Sequence, residues 1–436
     1  MPSKELKIRD YSNFLTVEEL NERLKKTIPK EQLQILGKSD EGHEILGARL
    51  GEGEDNALIF GFPHPNEPIG SLSCLELIKI IQKDSGLKKR FTWHIVPCAD
   101  PDGAKMNEGW FKGSFSIKNY ARSFFRQQPS KQLDWTFPIT YKDYSFNKPP
   151  KQTKALQRLI DKYRPSFIYP LHNAGFGGAY FFLTKEMPEG YYKKVLQLCK
   201  RLGVPIDMGE AEAEYIEEFK KPFYKMFGLS EMYEYFSSNG KDPKKALKSG
   251  TDSIEYARIK NPGLFGIVTE IPYIYDKKIF CARKTKFTRR SLMEEKLRLK
   301  EGVYNVFDEV VRMKGIDKKN KFYALIEENL KMHKDMIESA KEELKKEEYS
   351  RLATEAEKFS HQVISRFYWA LQLGQLRRLA KGSPKMENQK AVIKRIDSCI
   401  DEHASYVEKN SEYIVIPISD LIRFQIETLK ITLDYI

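Results

Sequence analysis

Seven histidines occur in this chain of 436 residues, and two of them stand in polar, glycine-rich turns that follow apolar runs. His64 lies in the stretch GFPHPNEPIG with Glu67 three residues later, and His172 lies in YPLHNAGFGGAY. A histidine and a glutamate at i and i+3 in a turn can converge on one cation. Hydrolysis of an amide at neutral pH needs a strong nucleophile, an electrophile on the carbonyl oxygen and a proton shuttle. A zinc ion held by His₂Glu leaves one position open for water and lowers the pKa of that water to roughly 7. Taken singly, these residues have plainer uses. His64 and His172 serve equally well as turn-stabilising histidines, and a lone His-x-x-Glu recurs by chance. Glu67, just before Gly70, also suits the dipole at a helix N-terminus. Glu270 ends the apolar run LFGIV, where burial raises a carboxyl pKa towards a range useful in catalysis. The same position suits a buried ion-pair partner.

The elements that must position these groups alternate. Strand-like runs are expected at NALIFGF (56–62), FTWHIVP (91–97), SFIYPL (166–171), AYFFLT (179–184) and FGIVTEIP (265–272). Helical spacing marks GSLSCLELIKIIQK from Gly70 and the stretches 151–163 and 190–202. An amphipathic helix is expected after Thr16, a cap residue with Glu19 three positions on. Strands alternating with helices predict an α/β architecture: a mixed, largely parallel sheet flanked by helices. In such sheets, ligand sites gather beyond the carboxyl ends of strands, where His64, Glu67 and His172 would meet. From Lys286 onward the text is charge-rich with helical apolar spacing, and Gly and Pro become rare. The expected organisation is a catalytic domain over 1–285 and a helical domain over 286–436. Within the latter, YIVIPISDLIRFQIETLKI is apolar enough to pack back on the catalytic domain or on a second chain.

Taken together and in order, the motifs resemble the zinc carboxypeptidase family over roughly residues 10–285. LGKSDEGHEILGARLGEG looks like the family's lead-in region with its G-x-S-x-E-G signature, and HPNE matches its HxxE zinc motif. IVPCADPDG is similar to its P-x-x-N-P-D-G segment, with Asp100 in place of the asparagine; LHN and VTEIPY fit the segments of the third ligand and the catalytic glutamate. The resemblance implies Zn²⁺ on His64, Glu67 and His172, with Glu270 as general base passing a proton from the metal's water to the leaving nitrogen. It also implies an oxyanion-stabilising arginine, for which Arg126 and then Arg122 are the candidates, and Asp134 as the partner that orients a zinc histidine.

The recognition half departs from the family. Where typical members carry D-x-N-R, whose Asn–Arg pair grips a terminal carboxylate, this chain reads Asp134-Trp135-Thr136-Phe137. The family's tyrosine before the glycine–serine stretch is also missing; Leu247 and its neighbours stand there, and Tyr256 follows the glycine. Trp135 and Phe137 suit either an apolar substrate group or core packing. Three functions therefore stand side by side: a carboxypeptidase acting on peptides, a zinc acylase or amidohydrolase acting on small N-acyl amino acids, and a binding protein with a degenerate zinc site. The expected substrate is a peptide or an acyl amide.

Bulk properties narrow the setting. The net charge of +13 comes from lysines spread along the chain, with no clustered patch or nucleic-acid-reading motif, so no nucleic-acid partner is expected. The five cysteines form no CxxC pair, and the N-terminal MPSKELKIRDYSNFL lacks the apolar stretch of a signal peptide. No run approaches a membrane span. A soluble, reducing, cytoplasmic setting is the expectation.

Overall fold

Thr16 starts the first helix as its residue type requires. Its hydroxyl accepts from Glu19 N–H at 3.2 Å, while the Glu19 carboxylate accepts from Thr16 N–H at 2.8 Å, and the helix Val17–Thr27 follows. The computed structural model describes residues 6–209 and 211–436. These fall into two compact units, one comprising residues up to 112 with Pro129–Tyr273 and Ile416–Ile436, the other Gly113–Gln128 and Ile274–Val415.

The first unit is organised by a nine-stranded sheet. Its strands are β1 (Leu33–Lys38), β2 (Glu44–Leu50), β3 (Asn56–Phe60), β4 (Thr92–Val96), β5 (Phe167–Pro170), β6 (Tyr180–Leu183), β7 (Glu218–Lys220), β8 (Phe223–Lys225) and β9 (Phe265–Glu270). The spatial order is β1-β2-β4-β3-β5-β9-β6-β8-β7. The middle of the sheet, β4-β3-β5-β9, is parallel throughout. Antiparallel pairings occur between β9 and β6 and towards both edges. The central strands read as apolar runs because both their faces are covered: every residue of β4 and β5 is buried, as are Ala57 to Phe60 of β3. Leu58, Phe60, Ile168 and Val268 join Leu156 and Ile160 of the helix Lys151–Tyr163 in one core.

The sheet brings the chemistry-bearing turns to one edge. Phe60 pairs with Pro170 and Phe265 with Phe167, so β3, β5 and β9 run side by side in one direction. Their carboxyl ends lead into the loops of His64 and His172 and to Glu270 itself, which is the last residue of β9.

A single cut at 285 does not describe the chain. The segment Gly113–Gln128 joins the second unit because Ile117, Tyr120 and Ala121 of the helix Ile117–Ser123 bury against the helix Ser365–Lys381. Gly374 permits that approach: a Cβ there would stand 1.7 Å from Ala121 O. Conversely, the apolar C-terminal helix Ile418–Leu433 belongs to the first unit, where it packs on the helices Ile69–Ile81 and Glu189–Leu202. The rest of the second unit is mainly helical, with Arg289–Arg312, Lys321–Glu343, Ser365–Lys381 and Gln389–Asn410 as its long elements and an antiparallel pair of short strands, Lys284–Thr288 and Leu352–Thr354, beside them. No helix among the described residues is long and apolar enough to cross a membrane.

Four histidines outside the metal centre are held as neutral rings. Burial, reinforced by nearby cations, lowers His94, His333, His361 and His403 to about 4. In the unfolded chain each returns to about 6.5. Folded pKa values below unfolded ones contribute stability that is complete above pH ~6.5 and is lost as pH falls towards 4. Each tenfold difference in proton affinity between the unfolded and folded ring corresponds to about 1.4 kcal/mol. The melting temperature should therefore fall steeply between pH 6.5 and 4, and His94→Gln should make that fall shallower. A flat profile over this window would contradict the account.

Candidate metal centre

The first loop is shaped by close contacts. Phe62, fully buried, adopts a left-handed backbone with φ of 55°, an unfavourable conformation for an aromatic residue that the surrounding packing must hold in place. Gly70 opens the following helix where no side chain fits, since a Cβ would lie 2.6 Å from Leu171 Cβ. The loop is tied from a second side by Asn107, whose Nδ2 donates to Pro65 O at 2.9 Å. The motifs around it have local duties. Asp100 caps the short helix Pro101–Lys105 through Gly103 N–H at 3.1 Å, a task that aspartate performs as well as asparagine. Asp102 accepts from the Ser39 hydroxyl and from Glu41 N–H at 3.0 Å, which binds the G-x-S-x-E-G stretch to the Asp-Pro-Asp-Gly segment.

His64, Glu67 and His172 are all buried, and one donor atom from each lies within 4.8 Å of the other two. The two imidazoles stand 5.0 Å apart, ring centre to ring centre, at 61°. Glu67 Oε2 is 3.1 Å from His172 Nδ1 and accepts from Asn173 N–H at 3.3 Å. Glu270 Oε1 lies 3.6 Å from the same Nδ1, and its side chain keeps 15% exposure, more than any member of the trio. Glu270 therefore sits beside the trio and at its open side.

His172 is oriented from behind. Its Nε2 is 3.2 Å from Asp134 Oδ2, and Asp134 Oδ1 accepts from Ser253 N–H at 2.7 Å. Ser253 is the first residue of the helix Ser253–Lys260, so a helix N-terminus faces the aspartate. In a neutral ring whose Nε2 proton is directed to Asp134, the Nδ1 lone pair would face Glu67 and Glu270, where a metal ion could take it up. The backbone is held too: His172 O accepts from Gln425 Nε2 at 3.1 Å, and Ser73 Oγ donates to Gln425 Oε1 at 2.6 Å. Asn173 Oδ1 accepts from Ile69 N–H at 3.2 Å, and Tyr273 OH donates to Asn66 O at 2.9 Å.

The charge balance of this cluster fits a cation. Burial disfavours a charged His172, but Asp134, Glu67 and Glu270 outweigh it and raise its pKa well above the usual imidazole value. His172 Nδ1 is buried, and although it lies within ion-pair range of two carboxylates it has no hydrogen bond of proper geometry. A buried nitrogen in that situation, facing carboxylates in a His₂Glu set, is what a divalent zinc ion would complete. Nearby, Asp252 caps the Ser253–Lys260 helix, and burial together with the charges of Asp134 and Glu255 raises its carboxyl well above the usual range.

The other expected residues have these surroundings. Arg122 and Arg126 fall in the second unit, where Arg122 pairs with Asp397 at 3.1 Å and Asp401 at 2.9 Å, and Arg126 N–H donates to Gln375 Oε1 at 3.1 Å. Thr136 is buried with its hydroxyl 2.8 Å from Thr153 Oγ1, and Phe137 is buried against Tyr256 at 5.4 Å. Phe137 is thus a core residue, whereas Trp135 is half-buried with Phe227 6.0 Å away. Leu247 is buried with Tyr144, Leu229 and Tyr233 in a small separate cluster. Gln425 is not among the sequence candidates, although a lone amide inside the apolar stretch LIRFQIETL is its visible signal.

A candidate His₂Glu metal centre lies beyond the carboxyl ends of parallel strands, and comparison with known proteins gives the class. Residues 17–198 match the zinc carboxypeptidase family, so the chain carries a zinc carboxypeptidase-like hydrolase domain, and zinc is that family's metal. The matched stretch includes His64, Glu67, Asp134 and His172 and stops before Glu270. No curated protein matches the sequence. Among solved structures, carboxypeptidase A from Helicoverpa armigera is 14% identical with a TM-score of 0.36, over 60% of this chain and 65% of that one. A metallo-carboxypeptidase from Burkholderia cenocepacia is 16% identical with a TM-score of 0.34, over 59% and 60%. Murein-tripeptide amidase from Escherichia coli O157 is 14% identical with a TM-score of 0.28, over 56% of this chain and 88% of that one. The chain thus spans under two thirds of the length of the two carboxypeptidases.

Loss of an orienting partner typically costs a metal site 10–100-fold in affinity. Asp134→Asn and Gln425→Leu are each expected to weaken zinc binding by about that factor, measured by competition with a chromophoric chelator. Unchanged affinity in both would show that neither residue positions His172.

Proposed function

We propose that the protein is a zinc-dependent hydrolase cleaving an amide bond at or near the C-terminus of a peptide, with His64, Glu67 and His172 as metal ligands and Glu270 as general base. The observation that carries this reading is the placement of Glu270 Oε1 3.6 Å from His172 Nδ1, beside the ligand trio and more exposed than its members. Zinc, when bound, would supply Lewis acidity and lower the pKa of a coordinated water. Glu270 then accepts a proton on the side open to substrate and delivers it to the leaving nitrogen. Asp134 keeps the His172 tautomer fixed while that proton moves. The fixed loops at the ends of β3 and β5 limit reorganisation, since Asn107, Asn173, Tyr273 and Gln425 each secure one segment of backbone.

A second reading is favoured by one specific observation. Thr136 and Phe137, which occupy the place of the family's carboxylate-gripping pair, are buried in the core and present no cation. An acylase acting on small N-acyl amino acids, or a peptidase whose substrates end in a neutral group, is consistent with that lack of a clamp.

Glu270→Gln should retain about one zinc per chain by elemental analysis while hydrolysis falls by roughly 10²–10⁴-fold. The His64→Ala, His172→Ala double variant should lose both metal and activity. Matched substrates separate the readings. Cleavage of peptides with a free or amidated C-terminus supports the peptidase, and cleavage of N-acyl amino acids alone supports the acylase. Full activity in the Glu270 variant would remove the general-base assignment.

A further inference from the structure

The second unit draws two lysines partly inward, and among the described residues neither of them forms an ion pair. Along the helix Arg289–Arg312, one face runs Leu292, Lys296, Lys300, Val303, Phe307 and Val310, at spacings of three and four. The four apolar members of this stripe are buried, and the two lysines are half-buried between them. Positions of this kind are normally filled by leucine or valine. The same helix packs on the helix Lys321–Glu343, on the π-turn Ser360–Ile364 and on the helix Ser365–Lys381. Each contributes a polar group: His333, His361 and Gln372 respectively. His333 is 2% exposed with its ring 5.9 Å from Phe307, so it faces the same stripe that carries Lys296 and Lys300. His333 Nδ1, His361 Nδ1 and Gln372 Oε1 are buried and make no hydrogen bond of proper geometry.

The charges follow the same grouping and show its imbalance. Burial and the neighbouring Lys296 push Lys300 down to about 8. Burial lowers His333 and His361 to about 4, with Lys300 acting on the first and Lys296 on the second. Gln372 opposes the change at His333, and Glu357 opposes it at His361. Lys296 is itself lowered by burial, with Glu343 opposing the shift. The other acids at hand are already engaged: Glu295 accepts from Gln362 at 2.7 Å, Glu301 pairs with Lys341 at 2.7 Å, and Glu357 binds Arg351. Among the described residues, neither Lys296 nor Lys300 forms an ion pair. Mutually repelling cations withdrawn from water are costly unless something neutralises them. A π-turn, which interrupts a helix and redirects a side chain, recurs at functional sites, and here it carries His361.

We propose that Lys296, Lys300, His333 and His361 form a binding site for a tetrahedral oxyanion of the phosphate class. The donors come from three separate elements and include two ammonium groups. That distribution suits an anion with oxygens on several sides, whereas a planar carboxylate is better matched by the fork of one arginine. The ion would take its charge-assisted hydrogen bonds from the two lysines and remove the repulsion between them. The source is either free orthophosphate or the phosphate group of a monoester.

The test is thermal unfolding of the whole zinc-loaded chain, titrated with orthophosphate or with glycerol 2-phosphate against sodium chloride of equal ionic strength. Orthophosphate is expected to raise the melting temperature saturably and beyond the chloride control. Lys296→Met, Lys300→Met should abolish that rise while melting, in chloride alone, at or above the temperature of the parent. An equal rise with glycerol 2-phosphate would identify a phosphorylated ligand, and a rise with orthophosphate alone the free ion. A parent that responds no more than to chloride would overturn the proposal. So would a double variant that responds undiminished, since phosphate would then be acting elsewhere, the zinc included. If the double variant does not fold, Lys300→Gln must weaken orthophosphate at least about tenfold, and unchanged affinity is equally fatal.

Discussion

Three carboxylates directed at one buried imidazole form the constraint on which the hydrolytic unit depends. Glu67, Asp134 and Glu270 surround His172 in a region largely sealed from water, and such an accumulation of negative charge is tolerable only with a positive charge at its centre. Without a metal, the carboxylates favour a proton on His172, whose pKa they raise well above the usual imidazole value. A divalent cation supplies more charge and releases that proton. Much of the surrounding architecture follows from holding these acids close together. The helix N-terminus at Ser253 faces Asp134, the Asn173 backbone serves Glu67, and the left-handed Phe62 sets the course of the loop that brings in His64.

The α/β half was legible in the sequence to a high degree, because its signals are local. β3, β4, β5, β6 and β9 are continuous apolar runs, and the helices Lys151–Tyr163 and Glu189–Leu202 carry clear apolar periodicity. The capping pair Thr16 and Glu19 marks the first helix by residue type alone. The turns holding His64 and His172 stood out because their residues suit neither a strand nor a helix. The contribution of distant residues was not legible. Gln425 lies 253 residues from His172, and nothing in local spacing links them. For the same reason the division into units escaped a reading based on composition. Composition identifies helices, but which apolar face each helix buries depends on its partner, and Ile117–Ser123 and Ile418–Leu433 both found partners far away in the chain.

The substituted recognition segment illustrates how one set of residues can keep a structural task while losing a chemical one. Asp134 orients His172, and two residues later Thr136 closes a buried hydroxyl network with Thr153 and the carbonyl groups of Gln132 and Leu133. Phe137 fills the core beside Tyr256. The segment is therefore retained as scaffold behind the metal centre, and any grip on the end of a substrate must be sought in other side chains.

The helix Ile418–Leu433 has a consequence for how the site is assembled during synthesis. Every candidate ligand, His64, Glu67 and His172, has left the ribosome long before Gln425 is made, and so have the strands that carry them. The carbonyl of His172 lacks its amide donor until that helix arrives and docks on Ile69–Ile81 and Glu189–Leu202. A nascent chain can thus hold all the chemistry-bearing residues and still lack the finished centre. The setting of His172 is completed only once this helix has emerged and docked, so its backbone geometry depends on a segment synthesised long after it.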